Sequence, residues 1–318
     1  MANLKRKVVL IGTGMVGMSF AYAALNQSIC DELVLIDLNE VRARGEAMDL
    51  NHGLAFSSSS MQIYFGNYSD CSDADVVIIC AGVNQKEGET RLQLLQRNYK
   101  VFESIVPRVV SSGFDGIFLV ATNPVDIMTR ITYELSGFNA SKVIGSGTTL
   151  DTARLRYLLG NYFEVDPRHM HAYVIGEHGD SEFVAWSQAI MAVKPVYDMI
   201  DKYPDRYNKE DLKKIENEVR TAAYEIIKAK GSTYYGIGMA ICRIVRAIFH
   251  NENSVFTTSV RLRGQYGLRG EVFIGNPCII NSGGANRILE LKLSEEELDK
   301  LRSSYEILDE SFKSIAIS

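Results

Sequence analysis

Across residues 7–147, short apolar runs alternate with segments of helical period, and this alternation restricts the fold more than any other feature of the chain. The runs KVVLI (7–11), ELVLID (32–37), MQIYF (61–65), DVVIICA (75–81), GIFLVAT (116–122) and KVIGSG (142–147) are mostly apolar. They read as strands covered on both faces. Helical periodicity fills most of the gaps, as over 14–26 and 90–112. Strands that alternate with helices imply a parallel, doubly wound sheet with right-handed crossovers. Past about residue 150 the texture changes to longer helical stretches and short strands of antiparallel character: HAYVIGEHG, SVFTTSVRLRGQYG and VFIGNPCII, the last two joined by glycine-rich turns. The tail from Ser294 opens with a capping box, Glu297 standing three residues on, and continues as an amphipathic helix. The expectation is an α/β chain with one unit over 1–147 and a second, α+β unit over 148–318, packed together without a linker or repeat.

Bulk properties exclude several classes. At 318 residues the chain can build one large or two medium cores. A net charge of -5, with no basic stripe and no aromatic–basic interleaving, argues against a nucleic-acid partner. The five cysteines show no CxxC spacing, and Cys80 in DVVIIC reads as a buried, reduced thiol. No Cys/His cluster has zinc-ligand spacing, so no metal is expected. The first apolar run stops at Gly12, too short for a signal peptide, and no run of 18 apolar residues occurs. A cytoplasmic, globular protein is expected.

In VVLIGTGMVGMSF the glycines 12, 14 and 17 have GxGxxG spacing, directly after a strand and at the start of a helix. Gly12 permits the tight turn, Gly14 lets the backbone approach a pyrophosphate, and Gly17 lets helix lie against sheet. The helix N-terminus then points free N–H groups at the phosphates. The next strand ends at Asp37, twenty residues beyond Gly17. A carboxylate there accepts ribose hydroxyls and repels a 2′-phosphate, favouring NAD over NADP. Asp37 could equally cap the helix that follows, and the two roles are compatible. The first unit therefore reads as a Rossmann-type dinucleotide-binding domain and the second as the catalytic one.

The chemistry points to HAYVIGEHGDSEF (171–183). His178 titrates near neutrality and can take and return a proton, and the flanking glycines leave its backbone open to a ligand. Its neighbours Glu177 and Asp180 are poor partners, because adjacent side chains of an extended segment face opposite ways. Asp151 and Arg154, in GSGTTLDTARLRYLLG, lie three apart at a helix start and so share a face. Asp151 could orient the imidazole while Arg154 grips a carboxylate with two N–H groups. An ordinary intrahelical ion pair is the competing reading. AGVNQKEGETRLQLLQRN reads as a long loop, a lid or merely solvated, entering a helix near Thr90 with Arg91 at its root. VATNPVDIMT places Asn123-Pro124 after a strand, where a fixed turn could aim the amide into the cleft or serve only as a turn.

The three glycines, Asp37, NQKEGETR, ATNPVD, LDTARLR and GEHGDSE occur in one order with one spacing. Together they closely resemble the bacterial-type L-lactate dehydrogenases of the lactate/malate dehydrogenase superfamily, nearly end to end. The resemblance implies that His178 is the proton donor and acceptor, Asp151 its orienting carboxylate, and Arg154 the substrate-carboxylate clamp. Arg91 would be the mobile-loop arginine that polarises the substrate carbonyl, with Asn123 on the same oxygen and near the nicotinamide. Thr233, in KGSTYYGIG, would help to shape the substrate pocket. Val16, Asp37, Arg42, Tyr68, Gly82, Val83, Ser104, Thr122 and Ser146 match NAD-contacting positions.

The resemblance also implies what separates lactate from malate activity. The deciding position in the family is Gln85: malate brings a second carboxylate that wants an arginine, whereas a neutral amide would leave that charge desolvated without a partner. Pyruvate and L-lactate are therefore the expected substrates, with longer 2-keto acids left open. Glu87 stands where many relatives have proline, and EFVAW (182–186) lacks another. Arg156 and His171 match the pair that binds fructose 1,6-bisphosphate between subunits in many tetrameric relatives. Such a pair, duplicated by a two-fold axis, would draw a sugar bisphosphate. His171 reads otherwise as a surface histidine at a strand start. The alternatives are a malate dehydrogenase, distinguished by Gln85, and a catalytically silent NAD-binding protein, which should lack at least one of His178, Asp151, Arg154 and Arg91. None is missing.

Overall fold

A computed structural model describes residues 6–83 and 90–315. The first half runs β1 (Lys7–Ile11), α1 (Met15–Gln27), β2 (Glu32–Ile36), α2 (Glu40–Gly53), β3 (Gln62–Phe65), β4 (Val76–Ile79), α3 (Arg91–Ser111), β5 (Ile117–Val120), α4 (Val125–Ser136) and β6 (Val143–Gly145). These strands pair in parallel in the spatial order β3-β2-β1-β4-β5-β6. The chain begins in the middle of the sheet and reverses direction of growth between β1 and β4. In open sheets of this kind ligands bind at such a switch point, outside the carboxyl ends of the strands.

Parallel pairing buries both faces, and the apolar residues of each strand divide by parity. Val9 and Ile11 of β1, with Val77 and Ile79 of β4, pack on one side with Phe102 and Val106 of α3 and Met128 of α4. Val8 and Leu10, with Val76 and Ile78, pack on the other with Phe20 and Ala24 of α1.

The second half comprises α5 (Thr149–Phe163), β7 (Met170–His171), β8 (Val174–Ile175), β9 (Phe183–Val184), β10 (Ile190–Met191), β11 (Lys194–Pro195), α6 (Val196–Lys202), α7 (Lys209–Lys230), α8 (Tyr235–Phe249), β12 (Ser254–Arg263), β13 (Glu271–Asn281), β14 (Gly284–Ile288) and α9 (Glu295–Lys313). Strands β12, β13 and β14 form an antiparallel set that does not stand apart. Ser259 of β12 pairs with Gly145 of β6, so the set extends the parallel sheet to nine strands among the described residues. Helix α8 completes the same side of the core as α1, with Ile241 and Val245 buried there. Leu155 and Leu159 of α5 meet Trp186 and, from α7, Leu212, Ile215 and Val219 in a separate cluster.

The tail helix starts as its capping box requires: Ser294 Oγ accepts from Glu297 N and Glu297 Oε2 accepts from Ser294 N. Two local expectations change. HAYVIGEHG is not one strand but two short ones, and the extended run ends at Gly176, whose φ of +100° turns the chain. Asp37 does not cap α2; Asn39 does, its side chain accepting from Arg42 N. Among the described residues no helix is long and apolar enough to cross a membrane.

Candidate active site

The glycine-rich turn leaves β1 at the switch point. Gly12 has φ +103°, and a Cβ there would lie 2.5 Å from Ala81 N at the end of β4. At Gly17 a Cβ would lie 2.1 Å from Gly12 O, so α1 reaches the turn only because that residue has no side chain. Around Gly14, the cap residue of α1, a Cβ would meet nothing within 4 Å, so the helix N-terminus faces open space. Asp37 stands beside it: Oδ2 accepts from Thr13 N (2.7 Å) and Thr13 Oγ1 (3.0 Å), and Oδ1 from Asn39 N. Burial opposes its ionisation, but these hydrogen bonds and the charge of Arg42 outweigh it, and the pKa falls below the ordinary carboxylate value.

Of the remaining cofactor candidates, Gly82, Thr122 and Ser146 stand just past the ends of β4, β5 and β6, while the others lie on helices and loops. Thr122 donates to Ala81 O (2.8 Å), and a Cβ on Gly82 would lie 2.6 Å from Thr122 Cγ2. Ser146 is buried, its N–H bonded to Val120 O. Tyr68 lies under the Arg108 guanidinium at 3.9 Å. Val16 is on the first turn of α1, and Arg42, on the first turn of α2, pairs with Glu46. Ser104 is exposed on α3 and donates to Val101 O. Asn98, buried on α3, accepts from Val83 N (2.8 Å) and donates to Asn123 O (3.1 Å). It therefore ties the start of the long loop to the cis Asn123-Pro124 turn.

That turn leads into α4, whose Asp126 is 2 % exposed and reaches across to the second half. Asp126 Oδ2 accepts the backbone N–H of His178 at 2.8 Å. The imidazole then meets Asp151 from α5: His178 Nδ1 lies 2.7 Å from Asp151 Oδ2, while Asp151 Oδ1 accepts from Arg154 Nη1 at 2.6 Å. The intrahelical pair and the histidine partnership thus both exist, one on each carboxylate oxygen. Asp151 is 1 % exposed, and the cations on either side hold its pKa below the ordinary value despite burial. Burial would lower the His178 pKa, but the Asp151 charge and hydrogen bond prevail and raise it. With Nδ1 facing Asp151, Nε2 is the ring atom left for a substrate.

The turn 176–181 is not extended, so its side chains do not simply alternate. Glu177 accepts from Ser181 Oγ, and Asp180 accepts from Tyr224 Oη. Neither binds the imidazole, as expected, but for the reason that each has another partner. Ser304 of α9, fully buried, accepts from Glu177 N (3.2 Å) and donates to Ser181 O (2.9 Å). Ser304→Ala will strand both backbone groups and destabilise the fold by about 1–3 kcal/mol, read by urea denaturation. An unchanged midpoint would show that the helix does not clamp this turn.

A second carboxylate was not foreseen at His178. Glu182 Oε2 lies 3.8 Å from Nδ1, and the residue is 5 % exposed. Asp126 stands in NPVD and Glu182 in GEHGDSE, but only the three-dimensional path shows that both reach His178, one at its backbone N–H and the other beside its ring. Thr233 lies half-buried between α7 and α8, next to Ser232, whose Oγ contacts Met15 Sδ at the start of α1. Arg156 Nε donates to Ala172 O, beside the exposed His171. Gln85 and Glu87 lie outside the described residues, as does the side chain of Arg91; its backbone begins α3, capped by Thr90.

One chain thus carries a glycine-rich turn at a sheet switch point and, joined to the end of β5 through Asp126, a carboxylate–imidazole–guanidinium cluster. Residues 6–145 match the family model described as the NAD binding domain of lactate/malate dehydrogenase, and residues 148–316 match its alpha/beta C-terminal domain. The chain belongs to the lactate/malate dehydrogenase family. It is 52 % identical to L-lactate dehydrogenase 2 of Bacillus anthracis and to L-lactate dehydrogenase 1 of Bacillus cereus, over 96 % of each chain. Among solved structures, a lactate dehydrogenase from a Medee basin deep-sea metagenome superposes with a TM-score of 0.95 at 52 % identity, covering 98 % of both chains. The minor L-lactate dehydrogenase of Enterococcus mundtii, in its ligands-bound form, gives 0.96 at 45 % identity, covering 99 % of this chain and 100 % of that one. As a family member the chain is an oxidoreductase.

Proposed function

We propose that the protein is an NAD-dependent L-lactate dehydrogenase that interconverts pyruvate and L-lactate. The observation that carries this reading is Asp151 shared between His178 and Arg154. One buried carboxylate there fixes both a proton-transferring ring and a carboxylate-binding fork. The cradle fits NAD: Gly12, Gly14 and Gly17 leave room at the α1 N-terminus for a pyrophosphate, and ionised Asp37 suits a ribose diol and disfavours a 2′-phosphate. Bound NADH supplies the reducing equivalents.

The chain's own residues do the rest. Arg154 holds the substrate carboxylate through donors other than the one committed to Asp151. His178, charged at neutral pH, donates its proton from Nε2 to the ketone oxygen, and neutral His178 takes the hydroxyl proton in reverse. Asp151 keeps Nδ1 protonated throughout and stabilises the charged ring. Asn123 and, from the lid, Arg91 serve the same oxygen as charge develops on it. Thr233 bounds the pocket. Gln85 presents a neutral amide at the third carbon and so admits a methyl group. Val16, Arg42, Tyr68, Gly82, Val83, Ser104, Thr122 and Ser146 complete the cofactor contacts, with the dinucleotide unit ending at residue 147.

Arg156 and His171 form the proposed fructose 1,6-bisphosphate site of a cytoplasmic homotetramer. Support comes from Arg156 lying against the strand of His171. Between subunits, two such pairs would repel until a bisphosphate bridges them.

NADH oxidation by the purified protein tests these points together. Pyruvate should exceed oxaloacetate in kcat/KM by about 100-fold, the cost of desolvating an unpaired carboxylate, and turnover should rise with the bisphosphate. Preference for oxaloacetate would transfer the assignment to malate dehydrogenase; indifference to the bisphosphate would remove the effector site alone.

A further inference from the structure

The site holds one carboxylate more than the proposed mechanism uses. Asp151 already supplies the hydrogen bond at His178 Nδ1, yet Glu182 Oε2 stands 3.8 Å from the same nitrogen, on the turn's return into β9. The three groups are close enough that their nearest polar atoms all lie within 4.8 Å of one another. We infer that Glu182 is a positioning residue that holds the His178 proton on the alkaline side, its carboxyl standing beside the ring while Asp151 keeps the Nδ1 hydrogen bond. This inference rests on His178 being the proton donor.

The surroundings of Glu182 support that assignment. Burial and the Asp151 charge both push its carboxyl toward the neutral form, raising its pKa; His178, Arg154 and Arg220 oppose them. The opposing cations are placed unequally. Arg154 is bonded to Asp151, and Arg220 of α7 pairs with Glu216 and donates to the backbone oxygen of Glu182 rather than to its carboxylate. Glu216 in turn accepts from Trp186 Nε1. His178 stands closest to the Glu182 carboxylate of these three: its Nδ1 bonds Asp151 Oδ2 and at the same time lies 3.8 Å from Glu182 Oε2. Ionisation of Glu182, its proton leaving to solvent, adds a negative charge next to the ring and so makes the ring's own proton harder to lose. The two groups then titrate as a pair.

Glu182→Gln preserves shape and hydrogen-bonding reach but can never ionise. In pH profiles of kcat/KM, the alkaline limb of pyruvate reduction should move to lower pH by about one unit. Even screened as in water, a unit charge about 4 Å away changes proton affinity roughly sixfold, and the buried site screens it less. The acid limb of lactate oxidation should move the same way, because both report the one imidazole. A role in packing alone would lower the rates without moving either limb.

His178→Asn is assayed beside it. If that variant is inactive and the Glu182→Gln profile superposes on the wild type, the inference about Glu182 falls and the His178 assignment stands. If His178→Asn keeps its activity, the mechanism falls and takes the inference with it. A Glu182→Gln protein that does not fold at neutral pH would also overturn the inference, since a neutral isostere should be tolerated where the acid is neutral.

Discussion

Replacing His178 with asparagine will lower kcat for pyruvate reduction by about 10³-fold, the contribution expected of a positioned general acid. NADH affinity should be unchanged, because the partners of the imidazole are Asp151 of α5 and Glu182 of its own turn, neither of them in the glycine turn. Stopped-flow turnover and a NADH fluorescence titration separate the two quantities. The pH dependence gives a second reading. Asp151 raises the His178 pKa, so the charged ring persists above its ordinary range. Pyruvate reduction needs the charged form and should hold through neutral pH, falling only as pH passes the raised value. Lactate oxidation needs the neutral form and should rise over that interval. Asp151→Asn removes the charge that raises the pKa and should bring both limbs down together. An asparagine at 178 that keeps a tenth of the wild-type turnover would require another proton source, of which Glu182 is the one at hand.

What the sequence disclosed about this site, and what it hid, follows from the range of the interactions involved. The glycine turn, Asp37, and the Asp151–Arg154 pair are local: their meaning rests on spacings within one turn of chain or one βα unit, and periodicity exposes them. The parallel sheet was legible for the same reason, since strands buried on both faces carry unbroken apolar runs. The joining of β12 to β6 was not, because a single backbone pairing between residues 114 positions apart leaves no periodic trace. Asp126, Asn98, Glu182 and Ser304 went unread on the same ground. Each is a polar residue in an otherwise ordinary helix or turn, and each acquires its partner only when distant elements pack. Asn98 fastens Val83 to the Asn123 turn, Asp126 fastens α4 to the His178 backbone, and Ser304 fastens α9 to the neighbouring peptides. The residues proposed for chemistry could be picked out by type and spacing. Those that fix their geometry could not.

Arg154→Leu should then remove two things at once. The substrate loses its carboxylate partner, and kcat/KM for pyruvate should fall by about two to three orders of magnitude, the usual cost of truncating one member of a buried, hydrogen-bonded charge pair. A neutral ketone of similar size, which never used the guanidinium, should be turned over equally poorly by both proteins. Asp151 Oδ1 also loses its 2.6 Å partner, and the imidazolium loses a nearby positive charge. Both changes favour the protonated ring, so the alkaline limb of the residual activity should move upward. Glu182→Gln is expected to move it downward. Opposite displacements from two neutralising substitutions of opposite sign would identify the limb with the ring they surround, because a general loss of structure cannot raise one pKa and lower it again. Displacements in the same direction would mean that the limb belongs to some other group, and that His178 does not set the pH range of the enzyme.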